Sequence, residues 1–336
     1  MGEFELLAAL RGRLPEPGPR VRLGSGDDAA ISVPGGAVAT SVDALVEGVH
    51  FRRETASLHQ IGRKALSTAL SDLAAMGAEP GEAYVTLGAP PTIGEAELLE
   101  LGEGLAAVAR ETGTTLAGGD LTRAPVLTLA VTVAGHAPCA EDFVTRAGAR
   151  PGDVLVVTGE LGGAAAGLLL LEDAGTTADA VDAPIADTLI RRQLDPTPRL
   201  AAGRALAAAG ARAMIDLSDG LAGDANHIAT ASGVLLTIAA DSLPIAPGVD
   251  AVAAAATCDP LELAISGGED YELLAALPPA AVEPARAALA AICTPLTVVG
   301  AVEDLAGTPP RAEIRLAGGE IRRSRGFDQL RPPEPR

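Results

Sequence analysis

The sequence predicts a protein of mixed α+β and α/β build in two domains, an N-terminal mixed sheet with helices followed by a C-terminal α/β domain. Three observations lead there. The chain has 336 residues, more than one average domain needs. Strand-like and helix-like patterns alternate through both halves. The texture breaks around 137–152, in "APCAEDFVTRAGARPGD", which places the boundary between domains 1–137 and 138–336. Hydrophobic residues make up 48% of the chain, enough for a full core. Aromatics are only 2% and Trp is absent, so Ala, Leu, Val and Ile must fill that core.

The elements follow in order. Residues 3–12 read as a short helix before the turn-forming "PEPGP". "AVATSVD" (37–43) reads as a strand with Asp43 at its end. In 57–78, Ile61, Ala65, Leu66, Ala69, Leu70, Leu73 and Met76 keep a helical period, and Asp72 lies near that stripe. A strand (82–88), a helix (94–113) and a strand (126–135) complete the first domain. The second opens on the apolar strand 153–159 and a glycine-started helix, 161–175. Then come a helix (198–210), a strand (213–217), a helix (218–232) and the strand "VLLTIAA". Helical "AVAAAAT" (251–257), the strand "YELLAAL", the helix "PAAVEPARAALAAI" and the strand "LTVVGAV" follow. The tail 311–330 reads as two short strands and a turn.

Charge and cysteine usage exclude several classes. A net charge of −19 repels nucleic acids and anionic membranes, and the densest basic run, "IRRSRG", is short. The three cysteines are far apart and have no zinc spacing, so reduced thiols and a cytoplasmic setting are expected. No secretory signal or membrane-spanning stretch is expected. Lys64 is the only lysine and lies outside any glycine loop, which excludes a P-loop kinase. The protein-kinase motifs are absent too. "TGELGGAAAG" (158–167) serves equally as a structural tight turn or as an anion cradle at a helix start.

The acids carry the chemistry. Six distant segments repeat one grammar, an apolar run, small residues, then an acid: "LGSGDDAAI", "ATSVDALVEGVHF", "ALSDLAAMGA", "LAGGDLT", "IDLSDGLAGD" and "ISGGEDYEL". A single such Asp would be read as a helix cap, as Ser218 and Asp219 are placed to be. Six argue otherwise, because buried unpaired carboxylates are costly and the segments hold few bases. A hard, oxygen-seeking cation such as Mg²⁺ relieves them if they meet, and Mg²⁺ held this way serves a nucleotide polyphosphate. Phosphoryl transfer is the expected reaction class.

"GDDAA", "DALVEGVHF", "SDLAAMGAEP", "GGDLTR", "TRAGARPGD", "IDLSDGL" and "GGEDYEL" occur in this order, and together they resemble the thiamine-monophosphate kinase family. That family lies in the aminoimidazole ribonucleotide synthetase superfamily, and the likeness runs from about 24 to 328. It implies an aminoimidazole ribonucleotide synthetase-like, two-domain architecture, and transfer of the γ-phosphoryl of ATP onto thiamine monophosphate. It implies several Mg²⁺ ions held by Asp28, Ser41, Val42, Asp43, Asp72, Asp120, Asp216 and Asp219. Val42 stands where the family commonly has Thr, so it is expected to contribute only its backbone oxygen. ATP is expected at Gly119, Asp120, Arg146 and Ser218, and the substrate at His50, Glu269 and Phe327. A carboxylate and a ring suit a cationic thiazolium. Taken alone, His50 also reads as a core histidine bonded to backbone, and Phe327 as a tail residue filling an apolar gap. No residue is expected as general base, because the acceptor phosphate is already ionised. The likeness further implies a homodimer through the N-terminal sheets. Another ATP-dependent member of the superfamily and a non-catalytic divalent-cation binder remain the alternatives.

Overall fold

The computed structural model describes residues 3–25, 29–172, 177, 180–322 and 326. The chain divides into two compact units, Met1–Phe143 and Val144–Arg336.

In the first unit, helix α1 (Glu3–Arg11) and a small antiparallel ribbon, β1 (Val21–Leu23) with β2 (Ile31–Ser32), precede the sheet. The sheet strands are β3 (Ala37–Val46), β4 (Glu79–Ala89), β5 (Thr115–Arg123) and β6 (Thr128–Ala137), in the order β3-β6-β4-β5. Only β4 and β5 run parallel, joined through helix α3 (Glu95–Thr112). Helix α2 (Leu58–Ala75) joins β3 to β4, and its start is fixed by a Ser57–Gln60 capping box. Two glycines bring α2 and α3 together. A Cβ on Gly62 would lie 2.1 Å from the Leu101 carbonyl oxygen, and one on Gly104 2.0 Å from that of His59.

Alternation along β3 decides which residues face those helices. Ser41 and Asp43 pair with Val133 and Val131 of β6, both buried, so they lie on the helix-covered face. Val38, Thr40, Val42 and Ala44 lie on the other face with Thr132 and Tyr84, and no helix of this unit covers them. Asp43 therefore sits inside a ten-residue strand rather than at the end of one.

The second unit holds a seven-stranded sheet ordered β13-β12-β9-β11-β7-β10-β8. Its strands are β7 (Val154–Thr158), β8 (Ala213–Asp216), β9 (Leu235–Ala239), β10 (Leu273–Leu277), β11 (Leu296–Glu303), β12 (Arg311–Arg315) and β13 (Ile321–Arg322). All neighbours are antiparallel except β12 and β9. Helix α7 (Leu221–Ser232) buries Ala225, Ile228 and Ala229 against Leu155, Val157, Ile215 and Leu274. Helices α4 (Gly163–Glu172), α5 (Ala183–Leu194) and α8 (Val249–Ala255) pack a second cluster around Leu170, Leu189, Val249 and Val252. Helices α6 (Leu200–Ala208), α9 (Pro260–Ser266) and α10 (Val282–Ala290) complete the unit.

Candidate active site

The first unit places four expected residues on β3 and α2. The Ser41 hydroxyl donates to Asp72 Oδ2, as the shared helix-facing side of β3 requires. Asp72 is half-buried near the end of α2, and Asp43 Oδ1 accepts the N–H of Ala44 at 2.8 Å. Val42 points to the opposite face and is 64% exposed, so its side chain takes no part among these oxygens. On an edge strand, alternate carbonyls have no ladder partner, and a backbone contact of the expected kind is compatible with its place.

His50 lies in the turn after β3. Its Nδ1 accepts the Val46 N–H at 3.1 Å, so the neutral ring carries its proton on Nε2. The backbone bond of the bland reading is present, but the ring is only half-buried and is no core histidine. The turn is stapled by Glu47, which takes Arg53 Nε at 2.6 Å and the Leu127 N–H at 3.0 Å. Gly119 and Asp120 are exposed on β5, an element the sequence reading did not mark as a strand. Side-chain bulk is excluded at Gly119, where a Cβ would meet the Val85 oxygen at 2.1 Å. Asp120 borders a cavity of about 120 Å³ lined mostly by leucines, from α1 and the residues after it, α3, β4 and β5.

In the second unit, Asp216 ends β8 and is only 4% exposed. Ser218 and Asp219 form the following turn. They do not cap α7: its N-cap is Gly220, at φ +102°, and makes no side-chain capping bond. This overturns the capping reading, and the reason is steric. A Cβ at 220 would lie 2.9 Å from the Ser266 carbonyl carbon, so glycine must hold the cap position. Asp224 in the first turn of α7, which the motif comparison left out, completes the group. Asp224 Oδ2 accepts the Asp219 N–H at 3.2 Å. Burial, reinforced by the charges of Asp216 and Asp219, pushes the Asp224 carboxyl up to about 8, against the pull of that N–H and of Arg146. Arg146 is exposed, and its carbonyl accepts the Ser232 hydroxyl at 3.1 Å.

Glu269 lies in a turn before β10, in left-handed backbone at φ +67°. Its N–H donates to the Ser218 carbonyl at 2.8 Å, and Tyr271 N–H donates to Leu217 O at 2.9 Å. The substrate-position turn and the Asp216–Asp219 turn are thus joined through backbone. The glycine turn is resolved as well. The N–H groups of Gly162 and Ala164 donate to the Asp270 carboxylate at 2.7 and 3.1 Å. A side chain already occupies those donors, which favours the structural reading over an anion cradle. Burial pushes the Asp270 carboxyl up to about 7, against these two bonds. Glu272 is bidentate to Arg199 and also accepts from Thr158. Arg199 comes from a distant segment, so the scarcity of bases inside the acidic segments did not leave every acid unmatched.

Asp28 and Phe327 lie outside the described residues. Among the described residues, no three His, Cys, Asp or Glu side chains are close enough to hold a metal by themselves. The side chains expected to take a metal are oxygen donors, the chemistry a hard cation such as Mg²⁺ accepts.

Comparison with known proteins defines the class. Residues 26–137 match the AIR synthase related protein, N-terminal domain, and residues 150–308 match the AIR synthase related protein, C-terminal domain. The chain belongs to this family of two-domain proteins. Thiamine-monophosphate kinase of Mycobacterium tuberculosis (strain CDC 1551 / Oshkosh) is 40% identical over 288 residues, covering 82% of this chain and 80% of that protein. The crystal structure of thiamine-monophosphate kinase from Stenotrophomonas maltophilia K279a matches with TM-score 0.80 at 34% identity, covering 93% and 96% of the two chains. A solved structure of AaThiL complexed with AMPPCP and TMP matches with TM-score 0.76 at 27% identity, covering 98% and 97%. Within the AIR synthase related proteins, the chain belongs to the thiamine-monophosphate kinases.

Proposed function

We propose that this chain transfers the γ-phosphoryl group of ATP to thiamine monophosphate, giving thiamine diphosphate and ADP. One observation carries the reading. Asp216, Asp219 and Asp224 share one strand–turn–helix segment, Asp224 accepting the Asp219 N–H, in a chain that matches thiamine-monophosphate kinases over four-fifths of its length. Within the first unit, Ser41, the Val42 carbonyl, Asp43, Asp72 and Asp120 would hold Mg²⁺, and within the second unit, taken by itself, Asp216 and Asp219 would. Bound Mg²⁺ neutralises phosphate charge and holds the polyphosphate for in-line displacement.

The remaining chemistry belongs to the chain. Arg146 supplies a forked donor for phosphate oxygens. The nucleotide is assigned to Gly119 in the first unit and to the Ser218 hydroxyl in the second. Thiamine monophosphate is assigned to Glu269 in the second unit and to His50 in the first, where the bond at Nδ1 leaves Nε2–H as the donor. No general base is required, because the attacking phosphate oxygen is already ionised near neutral pH. ATP, Mg²⁺, thiamine monophosphate and the protein are expected to yield thiamine diphosphate and ADP in equal amounts. Absence of both products would remove this reading. Tight Mg²⁺ binding without nucleotide would favour a simple cation binder instead.

The uncovered face of the first unit's sheet supports a homodimer. Val38 and Val42 are 42% and 64% exposed on it, and a second copy would bury them. Sedimentation is expected to give a dimer, and Val38→Asp is expected to shift it to monomer. A wild-type monomer at micromolar concentration would exclude the pairing. The three cysteines are exposed and form no disulfide, which fits a reducing compartment such as the cytoplasm. No helix among the described residues is long and apolar enough to cross a membrane.

A further inference from the structure

The turn at 269–271 holds two non-glycine residues in left-handed backbone, Glu269 at φ +67° and Tyr271 at φ +49°. Such conformations are uncommon for side chains of this size and persist only where neighbours hold them. The residue between them is the anchor. The two Asp270 oxygens take separate N–H groups at the start of α4, from Gly162 at 2.7 Å and Ala164 at 3.1 Å. Either side, the Glu269 and Tyr271 N–H groups are tied to Ser218 and Leu217. The next side chain, Glu272, is fixed by Arg199 and Thr158. Glu269 itself receives a hydrogen bond of 2.5 Å from Gln193 Nε2, on a side chain only 5% exposed. Gln193 lies in the last turn of α5, a helix otherwise remote in sequence from this turn.

We infer that Asp270 and Gln193 are positioning residues for substrate recognition: Asp270 holds the turn left-handed against α4, and Gln193 fixes the direction of the Glu269 carboxylate. This inference rests on the reading above that Glu269 faces thiamine monophosphate. Neither residue touches the reacting phosphates in this scheme. Their loss therefore acts on the substrate's KM, and much less on kcat or on the KM for ATP.

The test uses the full chain with Asp270→Ala, Asp270→Asn and Gln193→Leu. Amide hydrogen exchange is followed at 162–164 and 267–272, and the two substrates are varied separately in steady-state assays. Asp270→Ala is expected to speed exchange in both segments and to raise the KM for thiamine monophosphate about 10- to 100-fold, as a displaced orienting group does. The KM for ATP should stay within about threefold. Asp270→Asn keeps one accepting oxygen and should fall between Asp270→Ala and wild type. Gln193→Leu should raise the same KM with exchange unchanged, and it serves if the Asp270→Ala chain does not fold. Unchanged exchange in Asp270→Ala overturns the anchoring role. A fall in kcat with both KM values constant would overturn the inference, since it signals only fewer folded molecules. A wild-type protein that makes no thiamine diphosphate would defeat the functional reading alone. The exchange data would then still decide whether Asp270 holds the turn.

Discussion

Asp72→Asn is expected to lower kcat by about 10²- to 10³-fold, the usual cost of removing one aligned electrostatic stabiliser. The fold should survive the change. Asn has nearly the same shape, and its Oδ1 still accepts the Ser41 hydroxyl that Asp72 Oδ2 takes in the native chain. The Gly62–Leu101 and Gly104–His59 contacts that seat α2 on α3 are untouched. A thermal midpoint within about 2 °C of wild type is therefore expected alongside the lost turnover, as for a substitution worth no more than about 0.5 kcal/mol. Turnover within about threefold of wild type would take Asp72 out of the metal site. A large drop in midpoint would make it a structural residue instead.

Asp224→Asn should act in two opposite directions. The native carboxyl is pushed up to about 8 by burial and by Asp216 and Asp219. In the metal-free protein, the folded state then keeps a proton that the unfolded chain loses in the ordinary carboxylate range. Between that range and about 8, stability falls as pH rises, by on the order of a few kcal/mol. Asn keeps an acceptor for the Asp219 N–H and carries no charge. The variant should lose much of this slope and melt higher than wild type at pH 8, by roughly 4–8 °C for a gain of about 2 kcal/mol. The same change removes negative charge beside the proposed ligands, so Mg²⁺-dependent nucleotide binding should weaken about 10-fold or more. Melting curves at pH 5.5 and pH 8 without metal, and nucleotide titration with Mg²⁺, check both halves. A wild-type midpoint that does not fall between those pH values would refute the charge crowding.

Periodicity made most of the fold legible. The stripe from Ile61 to Met76 gave α2, and the apolar run 153–159 gave β7, because each pattern is local. Strand β5 was missed because "LAGGD" carries two glycines, which mask strand character, while the packing of Gly119 against Val85 is what requires one of them. Helix α5 was missed too, and with it Gln193, whose partner Glu269 is 76 residues away. No local pattern announces such a bond. The acids are legible through their motifs, Asp224 among them as the last residue of "IDLSDGLAGD", but the motif assigns Asp224 no role. Its meaning lies in the burial and the Asp219 N–H that α7 gives it. The glycine turn could not be decided from sequence, since its occupant, Asp270, arrives from more than a hundred residues downstream.

The left-handed turn also has an optical consequence. The chain contains no indole and two phenols, Tyr84 and Tyr271, one in each unit. Tyr271 is buried beside Glu269, inside the turn that Asp270 secures. Replacing Tyr84 by Phe would leave a single phenol, at this position. Ultraviolet fluorescence of that variant, excited at wavelengths that phenylalanine does not absorb, would then report the state of the turn directly, with no dye attached.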